Sequence, residues 1–321
     1  MKNHKKSIIV LITLTLLVFA FSSCLPNASV IDYRTGTKGL LFSLEGPNEI
    51  TIYEDEPSPY EEYEIKIEND GATKVEDQDI YVKIDLKDGF LKMKNGGSNY
   101  ATLTSLNAFN LANIHQLEGK TKWGFDGEDI SHFFTLEAMA PPNQGVTAII
   151  SAELCYRYKT ILSDSICINT IKHKEGRGCS KSDYSYGSGQ GGPIKISKIE
   201  VGEMVDNRNN VIPRIVLTIT NAEGGIVSLP DGDNFKEGCL AKKEVNKLRI
   251  TEALLGQDLL TCNDGNDEIT LVNGEKRVVC ELDGQLPKNA QGYFDTTLYI
   301  ELEYGFNSIT SKTIDIIRKN Y

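Results

Sequence analysis

The chain has 321 residues, 34 of them Lys or Arg and 45 Asp or Glu, for a formal net charge of −11. That length admits two ordinary domains, and a 40% share of hydrophobic residues is that of a globular protein with a packed core. So acidic a chain repels nucleic acid and anionic lipid headgroups, which speaks against a nucleic-acid role.

The first residues read as a targeting segment. Lys2, Lys5 and Lys6 precede an apolar run, Ser7 to Phe21, of signal-peptide length and short for a membrane span. Ser22 and Ser23 then lead to Cys24. This order resembles a prokaryotic lipobox, in which the cysteine is lipidated and becomes the first residue, although Phe21 stands where that motif usually has Leu. Residues 1–23 are expected to be a signal peptide, with Cys24 the lipidation site. Cleavage nearby with a free Cys24, or an uncleaved anchor, are the competing readings. All three place the rest of the chain outside the cytoplasm. A diacyl anchor carries two chains, enough for stable attachment. Residues 24–38, rich in Pro, Asn, Ser, Thr and Gly, read as a tether. Asn27-Ala28-Ser29 within it fits an N-glycosylation acceptor.

From Gly39 onward the chain reads as strands and turns. "YEEYEIKIENDG" alternates through Tyr63, Ile65 and Ile67 and stops at Asn69-Asp70-Gly71, a turn signal. "DIYVKIDLKDG" alternates through Ile80, Val82, Ile84 and Leu86. Such alternation means one wet face and one buried face, as in an antiparallel sandwich. A short helix competes only over Asn107 to Leu117. "HFFTLEAMA" and "GVTAIISAELCYRYKT" return to strand character.

The ends of the two halves resemble each other. Residues 154–168, "LCYRYKTILSDSICI", align without a gap to residues 302–316, "LEYGFNSITSKTIDI". The pairs include Leu154/Leu302, Tyr156/Tyr304, Tyr158/Phe306, Thr160/Ser308, Ile161/Ile309, Ser163/Ser311, Ser165/Thr313, Ile166/Ile314 and Ile168/Ile316. "YEIKIENDGA" likewise resembles "IVLTITNAEGG", with Asn69 matching Asn221. The expectation is an internal duplication, giving an all-β chain of two tandem antiparallel sandwich domains, 39–175 and 193–321.

Between them lies "YSYGSGQGGP", where Gly187, Gly189 and Gly192 spell G-x-G-x-x-G. A dinucleotide loop needs a strand before it and a helix N-terminus after it to hold the pyrophosphate. Here Pro193 and the strand-like "IKISKIEV" follow, so residues 176–192 read as an interdomain linker. A nucleophile elbow fails too, because Tyr186 and Gln190 flank Ser188 where glycines are needed.

Without Cys24, six cysteines remain: Cys155, Cys167, Cys179, Cys239, Cys262 and Cys280. An even number suits three disulfides in an oxidising compartment. If 155–167 is a hairpin centred near Ile161, Cys155 and Cys167 face each other and can bridge. The other four allow three pairings; Cys239 with Cys262 and Cys179 with Cys280 is the preferred one. At the places matching Cys155 and Cys167 the second copy carries Glu303 and Asp315. These two would lie on a wet face, adopt another register or share a cation.

Signs of catalysis are weak. His4, His115, His132 and His173 are scattered, with no metal-binding or triad spacing. Two acidic turns, with Asp231 and Asp233 in one and Asp264 and Asp267 in the other, could hold Ca²⁺, but neither has EF-hand spacing, and solvated turns contain such residues anyway. Trp123 with Phe125, and the tyrosines of "DYSY" and "YRYK", could form an aromatic platform for sugar or peptide; core packing explains Trp123 more simply.

The two strand-rich halves, with an early Asn-Gly-like turn and a late Leu/Tyr/Ile segment, resemble the immunoglobulin-like and cell-adhesion-related modules of prokaryotic, including archaeal, surface lipoproteins. The resemblance implies a non-catalytic, membrane-anchored surface protein that contacts an envelope or surface protein as an adhesion, scaffold or assembly module. A lipoprotein binding a glycan or small solute is the alternative, and a cell-wall hydrolase the third. Fold by itself does not choose among them.

Overall fold

The alternating segments become strands throughout, and the chain is all-β. The computed structural model describes residues 33–54, 56–87, 89–94, 116–122, 126–141, 145–169, 179, 182–205, 211–230, 244–282 and 292–319. The expected signal peptide, Cys24 and Asn27 lie outside them, as does nearly all of the competing helix at 107–117. The first half carries β1 (Leu40–Glu45), β2 (Glu49–Tyr53), β3 (Tyr60–Asn69), β4 (Val75–Glu76), β5 (Ile80–Leu86), β6 (Leu91–Met93), β7 (Gln116–Leu117), β8 (Asp129–Ala138) and β9 (Gly145–Asn169). The second carries β10 (Asp183–Ser185), β11 (Ile194–Val205), β12 (Val211–Asn221), β13 (Ile226–Ser228), β14 (Lys247–Leu255), β15 (Asp258–Cys262), β16 (Glu268–Thr270), β17 (Glu275–Leu282) and β18 (Tyr293–Lys319).

The strand order is immunoglobulin-like in both halves. One sheet runs β1-β3-β8-β6 and its counterpart runs β11-β12-β17-β15, the A-B-E-D order of that fold. The facing C-F-G sheets are β5-β9-β18 and β14-β18-β9. The same two strands, β9 and β18, serve both. They pair antiparallel from Gly145 opposite Ile317 to Asn169 opposite Tyr293. The first part of β9 pairs with β5 of its own half, from Leu86–Ile150 to Ile80–Tyr156. Its second part runs on beside the first part of β18, which pairs with β14. Each long strand is therefore F of its own half and G of the other. Residues 33–321 form one compact unit, because a shared sheet splices the halves.

This overturns the hairpin expected near Ile161. The inward phase keeps its register along the 25 residues of β9, with Ala148, Ile150, Ala152, Leu154, Tyr156, Tyr158, Thr160, Leu162, Ile166 and Ile168 buried on both sides of Ile161. A hairpin turn would break that alternation, and the stretch has no Gly, Pro or Asn-Gly to make one. The two aligned segments instead pair with each other through their first halves, 154–160 opposite 302–308. Tyr156 and Tyr158 lie opposite Phe306 and Tyr304, so the duplication is centred on the Arg157–Gly305 pair.

The four rings at that centre are fully buried. Tyr156 meets Phe306 at 5.7 Å and Tyr158 meets Tyr304 at 6.3 Å between centroids. Burial of an aromatic ring stabilises by about 1.5–3 kcal/mol, so the junction of the halves is itself core. Its hydroxyls are spent on backbone and on one another. Tyr156 Oη accepts from Leu40 N at 3.2 Å, Thr160 Oγ1 donates to Ile194 O at 2.6 Å, and Thr160 Oγ1 and Tyr304 Oη share a bond of 2.7 Å. Burial pushes the Tyr156 and Tyr304 phenols well above their ordinary range.

The glycine-rich stretch is no flexible joint. Gly191 N donates to Gly36 O at 2.9 Å, Ala72 N donates to Gly191 O at 2.9 Å, and Gly36 N donates to Ser188 O at 2.7 Å. Gln190 is buried and exchanges hydrogen bonds with the backbone of Ile196. A Cβ on Gly192 would lie 2.6 Å from Thr160 Oγ1 and 2.9 Å from Tyr304 Oη. The glycines let this backbone lie against the tyrosine core, and β11, a strand, follows Pro193.

The disulfide pairings also differ from expectation. Cys167 bonds Cys179, and Cys262 bonds Cys280. Cys155 and Cys167 cannot meet, because they sit twelve residues apart on one straight strand, about 40 Å at strand rise. Cys262 and Cys280 are directly opposite on β15 and β17, which removes both from the preferred pairings with Cys239 and Cys179. Cys155 is disulfide-bonded too; Cys239 lies outside the described residues.

Candidate interaction surface

The shared sheet has one face against the sandwich cores and one face outward. Along β9 and β18 the odd-numbered residues point out. The middle of that face is charged and bonded. Lys159 Nζ reaches Glu301 Oε1 at 2.8 Å, and Asn307 Nδ2 donates to Glu153 Oε1 at 2.7 Å. Burial works against the charged form of Glu301, but bonds from Lys159, Thr251 and Tyr299 hold its carboxyl below the usual range. Glu303 pairs across to Lys159 on one side and Arg249 on the other. Asp315 accepts from Thr147 Oγ1 at 2.9 Å. Glu303 and Asp315 thus lie far apart on one strand rather than facing each other, and neither needs a shared cation.

Toward the two ends β9 and β18 themselves carry Ile, Ser and Thr, with Asp85 of β5 opposite Ser151 at one end and Glu252 and Arg34 acting on Tyr299 at the other. One end shows Ile149, Ser151, Ile309, Ser311 and Thr313, with Ile309 55% exposed and Ile149 37%. The other shows Ile161, Ser163, Ser165, Thr297 and Tyr299. In register, Ser151 pairs with Ser311 and Ile149 with Thr313, while Ser163 pairs with Tyr299 and Ser165 with Thr297.

Two clefts adjoin this face, one taking in Ile161 and the other Cys167 and Asn169 of β9. One, of about 420 Å³, is lined by Tyr33, Arg34, Lys74, Glu118, Lys120 and Lys122 among others. Its lysines are engaged: Lys120 with Asp70, and Lys74 with Glu76 at 2.7 Å. The other, of about 440 Å³, lies beside the Cys167–Cys179 bridge and Glu203.

Among the described residues, the histidine and the acidic turn singled out from sequence form no metal cluster. His132 sits half-buried on β8 opposite Ile65, and burial lowers its pKa; His115 and His173 lie outside the described residues. In the turn after β15, Asp267 Oδ2 lies 3.2 Å from Arg249 Nε, and Glu268 Oε1 lies 3.3 Å from Arg249 Nη2. Asn263 Nδ2 donates to the carbonyls of Asn266 and Glu268, so a guanidinium and an amide already use oxygens that calcium would need. Among the described residues no three His, Cys, Asp or Glu are grouped to hold a metal. Asp231 and Asp233 lie outside them. The tyrosine platform is a core feature instead: Tyr156, Tyr158 and Tyr184 are buried, and Tyr186 Oη bonds Asp164 at 2.6 Å. Trp123 and Phe125 lie outside the described residues. Sequence reasoning did not single out the outward face of the shared sheet. The signal was there, in the repeat positions that fall on the polar phase of the alternation.

No protein family and no curated protein matches the chain. Among similar solved structures, two are described as parts of surface proteins. One is described as BspA_C_mut, with 9% identity, covering 86% of this chain and 96% of that one at a TM-score of 0.20. Another is a partial N-terminal region of the enterococcal surface protein, with 8% identity, 87% and 85% coverage and a TM-score of 0.17. A third is the collagen-binding domain of the Erysipelothrix rhusiopathiae surface protein RspB, with 10% identity, 89% and 94% coverage and a TM-score of 0.14. These scores record a loose likeness among strand-rich chains and carry no argument about what this one does.

Proposed function

We propose that this chain is a non-catalytic, extracytoplasmic lipoprotein, anchored through Cys24, that works as an adhesion, scaffold or envelope-assembly module through protein contacts. The observation that carries the reading is the splice between the halves. A sheet running unbroken through both makes a stiff body whose outward face extends about 80 Å along β9, a shape suited to spanning and docking. Disulfides in both halves fit an oxidising location. The tether at 24–38 and the lipobox-like segment supply attachment. A second reading, a binder of anionic solute or glycan, is favoured by one feature, the cleft lined by Arg34, Lys74, Lys120 and Lys122.

Cross-linking mass spectrometry on intact cells tests this. Cross-links from the shared sheet to one recurring envelope protein, or to further copies of the chain, support the assembly reading. Their absence, together with saturable binding of an acidic sugar or anion that Lys120→Ala abolishes, would replace it with the second. Metabolic labelling with a fatty-acid analogue, lost in Cys24→Ser, tests the anchor.

A further inference from the structure

The two halves close their sandwiches differently. In the second half β15 pairs with β17 of one sheet and with β14 of the other, and β16 pairs with β14 as well. In the first half the matching strand β6 pairs with β8 of its own sheet, and among the described residues β5 is bonded to β9 alone. The outer edge of β5 is therefore open over Ile80–Leu86. Its bonding phase is fixed. Lys87 N donates to Ile149 O at 3.4 Å, so Lys87 and, at two-residue intervals, Asp85, Lys83 and Tyr81 exchange bonds with β9. The N–H and C=O groups of Ile80, Val82, Ile84 and Leu86 point the other way, and no described backbone group bonds them. Such an edge is a template for another strand, and proteins commonly guard it with a short strand or a lone charge. β6 and β10 are guarded by their length, three residues each. β5 carries instead both a cation and an anion, Lys83 and Asp85, on the face opposite buried Val82, Ile84 and Leu86.

We infer that the open edge of β5 takes the same edge of a second copy of this chain, antiparallel about a two-fold axis through Ile84. The inference rests on the assembly reading above and gives it a partner. Register selects the occupant. With Ile84 opposite Ile84, Val82 of each copy meets Leu86 of the other. These are the residues whose backbone groups are open, so the pairs exchange about six hydrogen bonds. The same register sets Lys83 of each copy against Asp85 of the other, on both sides of the axis, and opposite charges across strands attract. An axis through Lys83 or Asp85 would set like charges face to face, which is unfavourable. A slip that pairs even with odd positions would mismatch the open backbone groups. β1, at the end of its sheet, holds Glu45 and no cation, so it makes no such pair with itself. Main-chain bonds supply the affinity in strand addition, and the contact needs no wide apolar face. The net charge of −11 opposes association, but exposed charges are screened beyond about 8 Å at physiological salt. Anchoring of both copies in one membrane raises their effective concentration. The contact is isologous and ends at a dimer, in which the shared sheet of one copy runs on into that of the other.

Sedimentation velocity of the mature chain, carrying Cys24→Ser so that it stays free of lipid, tests this over a concentration series. The parent should form dimers reversibly from about 0.1 mM upward, and nothing larger. D85K sets a lysine against Lys83 of the other copy at both ion pairs and should weaken dimerisation about tenfold or more. It does so while moving the net charge toward zero, which by itself would favour association. K83E/D85K exchanges the two charges and should restore the dimer. Amide exchange over Ile80–Leu86 of the parent should slow as concentration rises, a readout that needs no variant to fold. A parent that stays monomeric, a D85K dimer as tight as the parent's, a K83E/D85K variant no tighter than D85K, a mass that passes the dimer, or exchange over β5 that ignores concentration would each overturn the inference. In-cell cross-links to a different envelope protein alongside a monomeric parent would sink it and leave the assembly reading standing.

Discussion

The two Asn turns show what the splice does to equivalent pieces of chain. Asn69 and Asn221 follow matching strands and make matching bonds. Asn69 Nδ2 donates to Thr73 O at 2.9 Å and Asn221 Nδ2 to Gly225 O at 2.8 Å, each four residues on. Each side-chain oxygen accepts from a nearby glycine N, Gly71 in the first turn and Gly224 in the second. The surroundings differ. Asn69 is fully buried and donates again to Leu117 O at 3.0 Å, and a Cβ on Gly71 would collide with Tyr158 Oη. A Cβ on Gly224 would meet nothing within 4 Å. One turn is buried at the junction between the halves; its twin is more exposed at Asn221 and Gly224, although its Gly225 lies against Phe306. Similar local sequence made the same turn twice, and position in the whole decided what each turn supports.

The first way to break this comparison is at the centre of the junction. Phe306→Ala should cost about 3–5 kcal/mol. Urea denaturation should still show a single transition, because both halves share the strand that is weakened. Two separated transitions would mean that the halves fold independently and that the splice is not a common core. Gly192→Ala comes next. Its new Cβ has no room between Thr160 and Tyr304, and overpacking of this kind costs about 1–3 kcal/mol. Gly187→Ala, where nothing lies within 4 Å, should change stability by less than about 0.5 kcal/mol. Equal and small effects at both positions would favour the reading of residues 176–192 as an interdomain linker.

Asn69→Ala should cost about 2 kcal/mol, because it strips bonds from a buried turn, and Asn221→Ala about 1 kcal/mol. The reverse order in thermal melts would contradict the burial difference. The smallest effect lies in pH. Burial raises the Glu223 carboxyl pKa, against the pull of Lys38, 3.1 Å away. The folded chain then holds that proton more tightly than the unfolded chain. The stability from this group is full below its unfolded pKa and is lost as pH rises through the raised folded value. Glu223→Gln should therefore melt higher than the parent at pH 7 and alongside it near pH 3.5. The same gap at both pH values would assign the effect to something other than titration.

How much of this could be read beforehand follows from the range of each interaction. Period-two alternation placed most strands, since the inward residues Ile65, Ile67, Val82 and Ile84 meet the same requirement in any sandwich. The internal match of 154–168 to 302–316 was visible because burying those side chains demands the same types in both copies. The hairpin was misread because two short strands and one long strand have the same alternation, and only the lack of a turn residue near Ile161 tells them apart. The candidate surface was partly legible, in repeated Ile and Ser residues, but nothing local says that they point outward in line.

By itself the sequence determined an all-β chain, a duplicated pattern and an acidic composition, because composition and short-range alternation act within a few residues. The tertiary structure alone decided that the copies trade their last strands, that the glycines pack against tyrosines, and that Cys167 meets Cys179 and Cys262 meets Cys280. Those outcomes depend on which distant segments lie side by side, and many pairings are compatible with the same local preferences until a shared core selects one.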